Sequence, residues 1–230
     1  MVGGFVGMTL HTNKAVAAID TSTLQPVEMK SFVDPQGLFT VNVPKRFFSI
    51  RRSAKGDLPN ERGQGRRGSS IFTAGDMSKA EVVAVERFPA GVLLEDNGVQ
   101  PSGALSTIQE IGNPGVVAGL IAVRRDREKG GESKTKVVKD SITVSPDGKE
   151  LRFLLRTEVD VQRPELLLEQ TGVSELFRVT SAKASLQSDD GNMLAIFASA
   201  LEADWKTQDG VALEASVDSF KSLRPPTPQV

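Results

Sequence analysis

The chain has no cysteine, no tyrosine, one tryptophan (Trp205) and one histidine (His11). Without cysteine there are no disulfides, thiolate zinc sites or cysteine nucleophile, and no redox clue to the compartment. A single histidine leaves almost no material for a Ser-His-Asp triad, a two-His metal site or a histidine general base. Neither sign of charge is in excess: 28 Lys and Arg stand against 29 Asp and Glu, for a net charge of -1. Attraction to nucleic acid or anionic lipid would therefore need a local patch, and general nucleic-acid binding is not expected. What remains is 39% hydrophobic and 25% charged over 230 residues. That composition fits one soluble globular core with tails and loops.

Residues 2–10 (VGGFVGMTL) form an apolar run too short to span a bilayer, followed by Ala15-Val16-Ala17, an A-x-A pattern of the signal-peptidase type. Two readings stand. The run is the remnant of a translocation signal whose charged start lies upstream of Met1, with a mature start near Ala18, or it is a disordered tail. Lys14 between the run and the A-x-A is atypical of a signal.

From Thr21 to Val33 the sequence is mixed and turn-rich. Phe39, Val41 and Val43 then alternate with Thr40 and Asn42 before Pro44, predicting a half-buried strand that ends at the proline. Residues 51–68 (RRSAKGDLPNERGQGRRG) lack apolar periodicity and read as a mobile basic loop, with Arg51, Arg52, Lys55, Arg62, Arg66 and Arg67 against Asp57 and Glu61. Ile71-Phe72-Thr73 and residues 80–88 (AEVVAVERF) are β-like and pair either with each other or with the first strand. Leu105, Ile108 and Ile111 fall at helical spacing before Gly112, predicting a short helix over 104–112. Asn113 as N-cap and Pro114 at the first helical position restart a helix expected to end at Gly130-Gly131, with Arg124, Arg125, Arg127 and Lys129 complementing its dipole.

Residues 137–145 and 149–159 flank Pro146-Asp147-Gly148, a hairpin turn in which proline presets φ and glycine allows a positive one. A second hairpin joins 176–187 to 192–203 around Asp189-Asp190-Gly191. Its second arm is apolar on both faces, as a central strand would be. Leu213, Val217 and Phe220 mark a last helix over 211–223, and a Pro-rich tail follows from Pro225. Trp205 is expected either to be half-buried before that helix or to cap a partner site. Together these elements predict an antiparallel sheet covered by helices.

Few of the polar motifs carry chemistry. Asp189-Asp190-Gly191 lacks the further carboxylates of an EF-hand and reads as a turn, and Gly112-Asn113-Pro114-Gly115 lacks any phosphate-loop pattern and reads as a connector. The pairs Asp189/Asp190 and Glu165/Glu169 give no acid/base assignment, so no catalytic residue is nominated. The basic loop is either a docking element for an acidic partner surface or a solvated insertion.

Laid out in order, these segments make the chain resemble the PsbP family of thylakoid-lumen proteins over most of residues 34–223. GLFTVNVPKRF (37–47) resembles the family's opening strand, and STIQEIGNPGVVAGLI (106–121) its helix connector, the sharpest match. ELRFLLRTEV (150–159) stands where the family has an aromatic-rich strand, although Phe153 is its only aromatic. Residues 176–207 followed by ALEASVDSFKSL (212–223) resemble the closing hairpin, its following tryptophan and the final helix.

The resemblance implies an α+β fold, an α-β-α sandwich with a central antiparallel sheet, and no enzymatic activity. It divides the chain into a targeting remnant and flexible segment (1–33), a PsbP-like domain with the basic Gly-rich loop at 51–68 (34–223), and a tail (224–230). It further implies a peripheral protein of the chloroplast thylakoid lumen, an extrinsic photosystem II subunit supporting water oxidation. Calcium and chloride retention would act indirectly, with no cofactor held by named residues. The alternatives are a photosystem assembly or repair factor, with photosystem I or assembly intermediates as partners, and, more remotely, a small-ligand enzyme in a pocket beside the sheet or the related Ran-binding branch of the fold, which leaves the apolar run at 2–10 unexplained. The basic loop and scarce histidine depart from the family's best-known member and put a His-based metal site in doubt.

Overall fold

The structure, a computed structural model, describes residues 26–52, 66–100, 105–128, 134–187 and 191–223. The apolar run with its A-x-A pattern, His11, Lys55, Arg62, Gly130-Gly131, Asp189-Asp190 and the Pro-rich tail lie outside them. In chain order the elements are β1 (Met29–Val33), β2 (Phe39–Pro44), β3 (Phe48–Arg52), β4 (Arg66–Asp76), β5 (Glu81–Pro89), α1 (Ala90–Asp96), α2 (Ile108–Ile111) and α3 (Pro114–Glu128). There follow β6 (Thr135–Val144), β7 (Glu150–Val159), α4 (Pro164–Thr171), β8 (Leu176–Gln187), β9 (Asn192–Leu201), α5 (Glu202–Trp205), α6 (Gln208–Ser219) and β10 (Lys221–Ser222).

Seven strands form an antiparallel sheet in the order β3-β4-β5-β9-β8-β7-β6, with β9 at its centre. The doubly apolar sequence of β9 requires that position. Successive side chains point to opposite faces, so Met193, Ala195 and Phe197 enter one core while Leu194, Ile196, Ala198 and Ala200 enter the other. The first core is closed by α1, α2 and α3 through Leu93, Ile108, Val117 and Ile121. The second is closed by α6 through Leu213 and Val217, and by the small sheet β1-β2-β10 through Phe39, Val41 and Val43. The fold is thus mixed α+β, a central antiparallel sheet between two covering layers.

Local punctuation behaves as its chemistry dictates. The Asn113 side chain accepts from Gly115 N at 3.0 Å and its carbonyl from Val117 N at 3.0 Å, which satisfies two first-turn donors of α3. Gly148 takes φ +72° in the β6–β7 turn, where a positive φ strains any other residue.

Several expectations need correction. The opening strand β2 belongs to the three-stranded sheet, and β4 and β5 pair with each other. Residues 29–33, read as turn-rich, are β1, which pairs with β2 through five residues from Met29 to Val33. The basic loop is shorter than expected at both ends, because Arg51 and Arg52 close β3 while Arg66 and Arg67 open β4. The short helix is confined to Ile108–Ile111. The last helix stops at Ser219, and the following backbone joins β2, since Phe220 takes an extended conformation and still buries its ring. The arm expected to run to Ala203 ends at Leu201 and turns into α5. Helices α1 and α4 had no counterpart in the sequence reading.

Candidate functional site

Toward one end of the sheet the strand residues that face α3 turn from apolar to polar. Along β7 Leu155 is followed on the same face by Thr157, along β8 Ala182 by Thr180 and then Arg178, and along β9 Phe197 by Ser199. With the apolar packing withdrawn, a cavity of about 380 Å³ opens between these residues and the C-terminal part of α3. Val82, Ala122, Leu155 and Val159 give it apolar walls, and Arg125, Asp126 and Glu158 give it charge.

The two arginines are held differently. Arg125 donates from Nε to Glu86 Oε1 at 2.7 Å and stacks over the Phe197 ring at 4.0 Å, so a carboxylate balances its charge. Arg178 donates from Nη1 to the Ala80 carbonyl at 2.8 Å and to Ser199 Oγ at 3.2 Å, both neutral acceptors. Burial, and then the charge of Arg125, hold its guanidinium below the usual arginine range, although arginine stays protonated in proteins. The threonine hydroxyls of Thr135 and Thr157 lie 2.9 Å apart on the wall. At the rim Lys134 bonds Asp160 at 2.8 Å and Glu158 at 2.9 Å, contacts that raise its pKa.

A second polar cluster lies on the other side of the sheet. Arg46 binds Glu81, whose side chain is 0% exposed, and reaches Asp209 Oδ1 at 2.7 Å, while Lys79 takes Asp209 Oδ2 at 2.7 Å. Burial raises the Glu81 pKa and outweighs the opposing Arg46 hydrogen bond. Burial also pushes Asp209 upward, but the Lys79 hydrogen bond and the Arg46 charge prevail and hold it low. The cluster ties the start of β5 to the first turn of α6, a structural latch.

Of the sequence-predicted docking residues, Arg51 and Arg52 lie in β3, Arg66 and Arg67 in β4, and Lys55 and Arg62 fall outside the described residues. The structure therefore places four of them on one hairpin at the sheet edge. Arg124 and Arg125, read as dipole partners of α3, instead reach carboxylates on other elements, Asp96 at 3.4 Å and Glu86 at 2.7 Å. Arg178 was missed. Its signal was a charged residue on the same strand face as Thr180, Ala182 and Ala184, next to a strand that reads as central.

Helix α4 was missed as well, and it is unusual in burying no residue. Leu166 is 39% exposed and Leu168 52%, on a helix whose neighbourhood carries Glu165, Glu169, Glu158, Asp160 and Glu175. Among the described residues no helix is long and apolar enough to cross a membrane, and no three His, Asp or Glu side chains cluster as a metal site would require.

No protein-family model matches the chain, and no curated protein matches it in sequence. Among solved structures it is similar to the Ran-binding protein Mog1p of Saccharomyces cerevisiae, at 14% identity over 85% of this chain and 96% of that one, with a TM-score of 0.45. It is also similar to LpqN of Mycobacterium tuberculosis, involved in cell envelope biogenesis, at 12% identity over 86% of this chain and 92% of that one, with a TM-score of 0.40.

Proposed function

We propose that the protein is a non-catalytic docking subunit, extrinsic on the lumenal face of photosystem II in the chloroplast thylakoid, where it orders neighbouring protein loops and so helps retain the calcium and chloride of water oxidation. The observation that carries docking is α4, a helix that shows leucines to solvent and adds nothing to the core. Leucines exposed on a helix that adds nothing to the core suit an interface, whose centre is apolar. Its acidic surroundings select a partner surface with an apolar centre and a basic rim, and disfavour anionic lipid. The photosystem as partner rests on the family resemblance of residues 37–47 and 106–121.

The test is immunoblotting of photosystem II and photosystem I particles before and after a high-salt wash, beside assembly intermediates and free lumen. Stoichiometric, salt-released protein in photosystem II supports the extrinsic-subunit reading, since docking steered by charge is screened by salt. Protein confined to intermediates, photosystem I or free lumen would replace it with the assembly or repair role, which the divergent basic hairpin favours.

A further inference from the structure

What the cavity beside α3 would accept follows from its charges. Its volume of about 380 Å³ falls within the roughly 300–1,000 Å³ of small-molecule sites. Arg178 is half-buried and has no carboxylate partner among the described residues, and both its hydrogen bonds leave from Nη1. Its Nε and Nη2 donors are thus uncommitted to any described protein acceptor. A guanidinium withdrawn from water without a counter-charge is costly, and an arriving anion offsets that cost.

The rest of the wall narrows the class. Arg125 is already balanced by Glu86 and adds no second net charge. Asp126 and Glu158 line the same cavity, the latter held by Lys134, and repel a dianion about twice as strongly as a monoanion. A planar monoanion matches the guanidinium fork through two parallel hydrogen bonds. Thr180 and Ser199 bring hydroxyls beside it, while Val82, Leu155 and Val159 offer an apolar wall to a short hydrocarbon.

We propose that this cavity binds a small monocarboxylate, its carboxylate on Arg178 and its aliphatic part against Val82, Leu155 and Val159. The inference stands apart from the docking role and survives its failure.

The full chain, isotopically labelled, would be titrated by NMR with butyrate, butyramide and inorganic phosphate. Butyrate should saturably shift the Arg178 Nε–H and the Val82 and Val159 methyl resonances. Butyramide should bind at least about tenfold more weakly, the effect of losing a charge-assisted pair, and phosphate should leave these resonances unmoved. Arg178→Gln should weaken butyrate by about the same factor. Because Arg178 also ties Ala80 and Ser199, a second variant, Val82→Phe, fills the cavity while keeping the guanidinium in the sequence and should abolish binding in a chain whose amide spectrum stays folded. N-acetyl-glycyl-valine distinguishes sources: tighter binding than butyrate means a chain terminus, weaker binding a free acid, and either supports the site. Equal binding of butyrate and butyramide, butyrate shifts that persist in Val82→Phe, or no saturable shift in the unaltered chain would overturn it.

Discussion

Gly210 shows how much one absent Cβ can hold in place. A Cβ at that position would lie 1.8 Å from the Trp205 carbonyl oxygen, which belongs to backbone and cannot swing away. Gly210→Ala should therefore force α5 off α6 and destabilise the protein by about 3 kcal/mol or more, read as a lowered urea midpoint. Asp209, a few atoms away, gives a pH-dependent prediction. Its carboxyl is held below the ordinary aspartate value, so its stabilisation is present above the unfolded-state pKa and is lost as pH falls through the folded one. Asp209→Asn should cost on the order of 2 kcal/mol at neutral pH, and the gap should close in strong acid. Glu81 works with the opposite sign. Its raised pKa stabilises the protonated form, a contribution lost as pH rises through the folded value. The difference between the unaltered chain and Glu81→Gln should accordingly move in favour of the unaltered chain as pH falls.

Elements differ in what they contribute to folding, and α4 and α6 are the contrasting pair. Leu213 of α6 is 0% exposed and packs on β9, so Leu213→Ala should cost about 2–5 kcal/mol. Leu166→Ser and Leu168→Ser in α4 should each change stability by no more than about 0.5 kcal/mol, while reducing retention on the partner particles. Unchanged retention would remove α4 from the interface. The two helices also differ in legibility. The apolar residues of α6 recur at helical spacing, whereas three consecutive leucines in α4 make no stripe. The end signals of α4 were present in the sequence: Pro164 fits a first helical position and Gly172 is a stop, observed at φ +76° with its N–H on the Leu168 carbonyl at 2.9 Å. With no apolar stripe between them, these end signals alone do not mark a helix.

At the scale of the whole molecule the two cores share one sheet, and β9 belongs to both. Loss of either covering layer exposes apolar strand faces of the same sheet, so the cores should not unfold separately. Phe153→Ala in the α3-side core and Leu213→Ala in the α6-side core should each lower a single midpoint, the first through a stability loss of about 3–5 kcal/mol. Trp205 packs on the α6 side only. Its fluorescence should nevertheless follow far-UV circular dichroism through the same transition in both variants. Two separated transitions would show that the layers are independent.

What the sequence determined by itself was local in origin. Alternation made β2 a strand and an apolar run next to a turn made β9 one, Asn113-Pro114 started α3, and Pro146-Asp147-Gly148 and Gly191 turned two hairpins, because each depends on sterics and hydrogen bonds within a few residues. The central place of β9 was also legible, since a strand apolar on both faces must be covered twice. Tertiary structure alone decided which sheet β2 joined, because its one-sided pattern suits any apolar surface. It also decided that Arg125 and Arg178, on a helix and a strand far apart in sequence, would face one cavity with only Arg125 balanced by a carboxylate. Partner choice and convergence of charge are properties of packing between distant segments, and no local pattern of side chains encodes them.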